Sequence, residues 1–116
     1  MRRALALVAG VALLSAAPAA VAASKKTVKL GDNFYSPKTL TVSKGTTITW
    51  KWPGFDQAGD VHDVSLKSGP KGVKKFHSDS AATDYSSKRK LTVPGTYKIV
   101  CTLHEDMRMT IKVKKR

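Results

Sequence analysis

The alternation of polar and apolar residues at a period of two is the feature that most restricts how this chain can fold. In residues 46–52, Ile48, Trp50 and Trp52 fall on one face, and residues 109–114 alternate in the same way. No window of helical length shows a clear 3.6-residue period. We therefore expect an all-β sandwich or barrel, since short alternating runs separated by Gly and Pro are typical of those folds. The expected strands are residues 27–30, 39–42, 46–52, 61–67, 88–93, 96–101 and 109–114, with residues 68–87 mostly a loop.

The first residues of the chain are typical of an export signal. Arg2 and Arg3 precede an apolar run over residues 4–17, and Ala20-Val21-Ala22 fits a cleavage site. We therefore expect a cleavable signal peptide over residues 1–23 and one domain over residues 24–116. The protein is then periplasmic or secreted. An uncleaved membrane anchor is the alternative, because the uncharged run continues to residue 23.

The charge of the expected mature chain is strongly positive. The sequence has 21 Lys and Arg; without Arg2 and Arg3, 19 remain against 8 Asp and Glu, a formal charge of +11. This balance favours an acidic or negatively patched protein partner, or peripheral contact with an anionic membrane surface. Nucleic acid is not expected as a partner of an exported protein. We expect the chain to be a monomer.

A single cysteine stands out in a chain expected to be exported. Cys101 has no second cysteine with which to form an internal disulfide. A lone cysteine in a secreted chain indicates an intermolecular bridge or a reactive thiol. A third possibility is a thiolate that is buried under a metal and so protected from oxidation.

The segment after this cysteine offers three kinds of metal ligand within seven residues. Cys101, His104 and Met107 supply a thiolate, an imidazole and a thioether between two expected strands. His62 lies on the apolar face of the expected strand 61–67. Two imidazoles, one thiolate and a weak axial Met form the ligand set of a blue copper electron-transfer site.

These residues carry a resemblance to the small cupredoxins, the plastocyanin and amicyanin group. The matching segments are Gly31 to Val42, Val61-His62-Asp63-Val64, Pro94-Gly95-Thr96-Tyr97-Lys98-Ile99-Val100-Cys101 and the loop that continues to Met107. The resemblance implies a Greek-key β-sandwich that binds one copper ion through His62, Cys101, His104 and a Met. It also implies a carrier of single electrons between larger redox proteins, and not an enzyme.

The axial methionine has two candidates. Met107 gives the short, amicyanin-like spacing, C-x2-H-x2-M, and Met109 gives the plastocyanin-like spacing, C-x2-H-x4-M. Met109 shares a face with Ile111 and Val113, so it also fits core packing at the start of the last strand. We favour Met107.

Two residues near the site depart from the pattern of the family. Asp63 stands where Asn is common, and it can accept hydrogen bonds between the ligand loops but has no amide hydrogens to donate. Leu103 stands where many relatives have Pro, so it keeps its N–H. We expect this N–H to donate a hydrogen bond to the Cys101 sulfur and to raise the reduction potential.

Three other functions compete with electron transfer. The first is storage or delivery of copper in the cell envelope with the same four residues, assisted by Asp63 or Glu105. The second is a Cys-His hydrolase with Cys101 as nucleophile, for which so small a domain offers little room for a substrate cleft. The third is a basic binding module without metal, which leaves the Cys-His-Met segment unexplained. Zinc also suits cysteine and histidine ligands.

Overall fold

A computed structural model describes residues 24–116, and the expected signal peptide, residues 1–23, lies outside the described residues. The described residues form eight strands and one short 3-10 helix at Phe55–Gln57. The strands are β1 (Lys25–Gly31), β2 (Phe34–Ser36), β3 (Thr39–Ser43), β4 (Thr46–Lys51), β5 (Ser65–Ser68), β6 (Ser86–Leu91), β7 (Gly95–Cys101) and β8 (His104–Lys114).

The strands form two four-stranded sheets, which confirms the all-β sandwich. Sheet A has the order β2-β1-β4-β6, and sheet B has the order β3-β8-β7-β5. Strands β1 and β4 are parallel, as are β3 and β8, while the other pairs are antiparallel. Successive strands therefore pass repeatedly between the two sheets, as in a Greek-key sandwich.

The core lies between the sheets and follows the alternation in the sequence. Ile48, Trp50, Ile99 and Ile111 are each at most 1% exposed. Their neighbours along each strand point away from the core and are polar, except Val100 beside Ile99. Burying such side chains contributes about 1.5–3 kcal/mol each, so this face-specific pattern fixes the strand register.

Two strand predictions were wrong in ways that matter for the site. The strand expected over residues 61–67 begins only at Ser65, and His62 instead forms an isolated bridge with Ala81. The last strand was expected from Met109 but begins at His104, because its pairing with β7 continues up to Cys101. The turn between Cys101 and His104 is therefore only two residues long.

No helix among residues 24–116 has the length and apolar character that spanning a membrane requires.

Candidate metal centre

Three of the expected ligands come together at one end of the sandwich. The Sγ atom of Cys101 and one ring nitrogen from each of His62 and His104 lie within 4.8 Å of one another. The two Nδ1 atoms are 3.1 Å apart, and Cys101 Sγ lies 3.6 Å from His104 Nδ1. Both imidazoles therefore present the same nitrogen to the thiol.

Each ligand is positioned by a different part of the fold. Cys101 ends β7 on the core-facing side, and His104 begins β8 directly across from it. His62 belongs to the connection between β4 and β5, where its backbone exchanges hydrogen bonds with Ala81. The indole N–H of Trp52 lies within hydrogen-bond reach of the carbonyls of both Ala81 and His62. Pairing between neighbouring strands thus fixes Cys101 and His104, and long-range contacts fix His62.

Asp63 joins the two segments that supply the ligands. Its Oδ1 accepts a hydrogen bond of 2.8 Å from the Thr102 N–H, and its Oδ2 accepts one from the Thr102 hydroxyl. The Asp63 N–H also points to Cys101 Sγ at 3.5 Å. The expectation that Asp63 acts only as an acceptor at its side chain is confirmed. Thr102 is the partner that sequence reasoning missed.

The hydrogen bond expected from Leu103 to the sulfur was wrong. In the described part of the chain, the hydrogen-bond partners of Cys101 Sγ are the Asp63 N–H and His104 Nδ1. Leu103 occupies the tight turn with its side chain 52% exposed. The N–H that approaches the thiol therefore comes from the neighbouring ligand segment, and any tuning of the sulfur by this route depends on Asp63.

A carboxylate lies beside the outer nitrogen of each imidazole. Asp32 Oδ1 is 3.4 Å from His62 Nε2, and Asp60 Oδ2 is 3.5 Å from His104 Nε2. Asp32 also accepts the N–H of Asp60 at 3.2 Å, which links the two acids. A metal on Nδ1 leaves the ring proton on Nε2, where a carboxylate can accept it and fix the orientation of the ring.

Close approach of the loops makes this arrangement possible. A Cβ added to Gly59 would lie 2.6 Å from Asp32 Oδ1, so any other residue there would displace the Asp32 carboxylate from its place beside His62. Asn33, next to Asp32, has a φ of 67°, a left-handed conformation that Asn tolerates. The role of Asp32 could not be read from a sequence in which it lies 30 residues from His62.

Behind the ligands, a buried tyrosine supports the Asp63 segment. The Tyr35 hydroxyl donates a hydrogen bond of 2.6 Å to the Asp63 carbonyl. Burial raises the pKa of Tyr35 well above its usual 10.0, and negative charge on Cys101 and Asp63 raises it further. Tyr35 therefore stays neutral and remains a donor.

Both candidate methionines are buried on the inward face of β8. Met107 is fully buried, and Met109 is 3% exposed. The sulfur of Met109 receives the indole N–H of Trp50 at 3.4 Å, between the two sheets. Met109 is paired with Ile99 along the strand, two residues further than Met107 from the start of β8.

The donor set fits copper in both of its common oxidation states. One sulfur and two imidazole nitrogens already face each other, so little rearrangement is needed for a single ion to contact all three. Thiolate sulfur suits Cu(I), and imidazole suits both Cu(I) and Cu(II).

Comparisons with known proteins agree with this chemistry. The family model for copper binding proteins of the plastocyanin/azurin family matches residues 22–114. Amicyanin-alpha from Methylorubrum extorquens is 27% identical over 122 residues, which cover 97% of this chain and 99% of that protein. Plastocyanin from Prochlorothrix hollandica is 34% identical over 106 residues, which cover 84% of this chain and 76% of that protein.

A solved structure shows the same fold. The crystal structure of amicyanin from Paracoccus versutus matches with a TM-score of 0.64 and 24% identity, over 85% of this chain and 88% of that one. The resemblance expected from the motif is confirmed, and so is copper as the cofactor. The chain belongs to the plastocyanin/azurin family of copper binding proteins.

Proposed function

We propose that this chain is an exported blue copper protein that binds one copper ion and carries single electrons between larger redox proteins. Its ligands are His62, Cys101, His104 and Met107. The observation that carries the proposal is the convergence of one thiol and one ring nitrogen from each of two histidines within 4.8 Å. When bound, copper supplies one-electron Cu(I)/Cu(II) chemistry.

The residues of the chain hold the site in one geometry. His62 is 1% exposed and Cys101 is 3% exposed, so both are confined by the core. Asp63 ties the loop of one to the turn that follows the other. Because ligands held this firmly move little when an electron arrives or leaves, the protein contributes a small reorganisation cost and a dry environment.

Met107 would supply the thioether sulfur to copper in this proposal, and Met109 is the competing candidate. Met107 is favoured because the sulfur of Met109 is already engaged elsewhere. It accepts the Trp50 indole N–H in the core. Met107→Leu should change the visible and EPR spectra of the copper protein strongly. Met109→Leu should change them little, and the opposite result would assign Met109.

We propose a carrier and not an enzyme, because electron carriage accounts for the site without a catalytic step. Cys101 is buried, and the imidazole beside it, His104, has its Nδ1 atom 3.1 Å from that of His62. A role as a carrier requires only docking and electron exchange. The partner proposed here is an acidic or negatively patched redox protein, since the chain without Arg2 and Arg3 has a formal charge of +11. Peripheral contact with an anionic membrane is compatible with that charge, and the chain is proposed to be a monomer in the periplasm or outside the cell.

Copper storage or delivery with the same four ligands is the alternative. It requires an open or carboxylate-assisted site. Both oxygens of Asp63 are engaged by Thr102, so Asp63 is not free to assist. His104 is the accessible ligand, with 26% of its side chain exposed. An exposed imidazole edge also suits an electron port, so this exposure does not favour delivery.

The test is the visible spectrum of the purified protein after addition of Cu(II). Thiolate ligation predicts an intense blue band at about 600 nm. Cys101→Ala should abolish the band, and Met109→Leu serves as a control that also changes a buried sulfur residue. A pale Cu(II) complex without this band would contradict the proposal and favour copper handling.

A further inference from the structure

Acidic and basic residues occupy different parts of this molecule. All eight acids lie in the connections around the metal centre or at the start of β8, and strands β1–β7 contain none. The strands carry most of the basic residues, all of which are exposed, and many of them alternate with buried side chains and so point outward. The positive charge therefore lies on the two outer faces of the sandwich, and the end with the ligands is comparatively acidic.

The outer face of sheet B is recessed as well as basic. A depression of about 370 Å3 is lined by Lys38, Lys67, Lys98 and Arg108. A second, of about 550 Å3, is lined by Lys67, Lys75 and Arg108 and by one acid, Glu105, and it reaches Cys101, Thr102 and Leu103. Because both share Lys67, Val100 and Arg108, they form one continuous groove. We call it the basic groove and define it by Lys38, Lys67, Lys75, Lys98 and Arg108.

The cations of the basic groove lack acidic partners. Within residues 24–116, the only ion-pair contacts are those of His62 and His104 with Asp32 and Asp60. Arg108 donates its Nε–H to the Glu105 carbonyl, and Lys98 donates to the Thr110 hydroxyl. Five unpaired cations around one depression repel each other, and an anionic ligand relieves that repulsion.

We propose that the basic groove seats an acidic segment of the redox partner and so docks that segment beside Cys101. This inference rests on the proposed electron-carrier function and adds the place and chemistry of docking. Charge complementarity selects the acidic partner. The metal end, where Asp32 and Asp60 face the two imidazoles, offers such a partner no attraction.

The shape of the basic groove favours a protein segment over a membrane surface. The groove is concave, and apolar side chains line it between the cations, among them Leu66, Val100 and Leu103. A segment with acidic side chains and a few apolar ones can fill such a groove. A flat layer of lipid headgroups reaches its rim but not its floor. Contact with Leu103 and Thr102 brings the segment to the turn between two ligands.

The test measures binding of a hexaglutamate peptide to the metal-free protein by NMR titration. The groove variant combines Lys67→Gln, Lys98→Gln and Arg108→Gln. The control variant combines Lys29→Gln, Lys88→Gln and Lys90→Gln on the outer face of sheet A, which removes the same net charge. We expect the groove variant to bind about tenfold more weakly than the parent, and the control variant to bind about as well.

A functional measurement uses the copper-loaded protein and an anionic oxidant. One electron passes from Cu(I) to hexacyanoferrate(III), which gives Cu(II) and hexacyanoferrate(II). The second-order rate at low salt should fall more in the groove variant than in the control variant. A further variant with only Lys67→Gln and Lys98→Gln keeps the Arg108 hydrogen bond to the Glu105 carbonyl. A smaller but parallel fall in its rate excludes distortion of the site.

Several results would overturn the inference. Equal losses in the groove and control variants would show that net charge alone attracts the peptide. Groove-dependent binding to vesicles of phosphatidylglycerol and phosphatidylcholine, without binding of the peptide, would identify a membrane surface instead. Concentration-dependent dimerisation that the groove variant abolishes would identify a second copy as the occupant.

The proposed electron-carrier function can fail separately from the groove. Peptide binding by a protein that shows no blue copper band would leave the groove in place and refute the electron-carrier function.

Discussion

His62 and His104 present the same nitrogen to the same thiol from very different surroundings. His62 is 1% exposed and lies in a long connection that is fixed by Ala81, Trp52 and the Asp63 segment. His104 is the first residue of β8, directly after a two-residue turn, and its side chain is 26% exposed. The inner imidazole is therefore part of the core, and the outer one is part of the surface. In one metal centre, the position of His62 thus depends on tertiary packing, and the position of His104 depends on a local turn.

The largest expected difference between the inner imidazole, His62, and the outer imidazole, His104, is in their contribution to the stability of the metal-free protein. His62→Ala leaves a cavity in the core and should lower the free energy of unfolding by about 2–4 kcal/mol. His104→Ala removes a partly exposed ring and should change it by about 0.5 kcal/mol or less. Urea unfolding of both variants without metal measures this. Equal losses would mean that the two imidazoles are equally embedded.

A smaller effect is expected at the link between the two sides. Asp63→Ala removes the acceptor of both Thr102 hydrogen bonds and should cost about 1.5–3 kcal/mol. Asp63→Asn keeps one carbonyl oxygen and adds an amide that the Thr102 hydroxyl can accept from, so it should cost less. Urea unfolding compares the two variants. A loss as large in Asp63→Asn as in Asp63→Ala would show that the negative charge matters, rather than the hydrogen bonds.

The support behind the inner side is tested by two tyrosines with the same local chemistry. Tyr35 and Tyr97 each donate a 2.6 Å hydrogen bond to a backbone carbonyl, Tyr35 near the site and Tyr97 at the other end of β7. Either Tyr35→Phe or Tyr97→Phe should lower the free energy of unfolding by about 1 kcal/mol near neutral pH. Only Tyr35→Phe should alter the spectrum of the copper protein, because only Tyr35 holds the Asp63 segment. Altered spectra in both variants would contradict this local role.

The same tyrosines predict the behaviour of stability at high pH. Burial is the main cause that raises the pKa of both above the usual 10.0, so the folded state keeps these protons after the unfolded state has begun to lose them. Their contribution is complete below pH 10.0 and falls as the pH rises above it. In Tyr35→Phe, the decline above that pH should be shallower than in the parent. An identical decline would show that Tyr35 does not titrate differently in the two states.

The smallest effect on stability is expected on the outer side. Asp60→Asn removes the carboxylate beside His104 Nε2, while Asp56→Asn removes an exposed acid from the same connection without touching a ligand. Both should change stability by about 0.5 kcal/mol or less. Asp60→Asn should raise the reduction potential more, because loss of nearby negative charge favours Cu(I). Equal potentials in a redox titration would remove Asp60 from any role at the site.

The sequence predicted the parts of this molecule that depend on local patterns. The alternation around Trp50 and Ile111 predicted which faces of the strands form the core. The short spacing between Cys101 and His104 predicted that these two ligands lie together. It did not predict that Val61 to Val64 lie outside a strand, because the bridge from His62 to Ala81 is a long-range contact. Asp32 was missed for the same reason. The hydrogen bond assigned to Leu103 was wrong because backbone direction in a tight turn depends on pairing that the sequence does not show.

The position of β8 has a consequence for the order of events in the life of the protein. This strand begins with a ligand, His104, and lies between β3 and β7 in sheet B, yet it is the last of the described strands to be synthesised. Until it emerges, sheet B lacks its second strand and the site lacks an imidazole. Copper loading through both imidazoles must therefore follow the synthesis of β8, and a nascent chain that has reached only Cys101 would expose a free thiol with no metal to shield it.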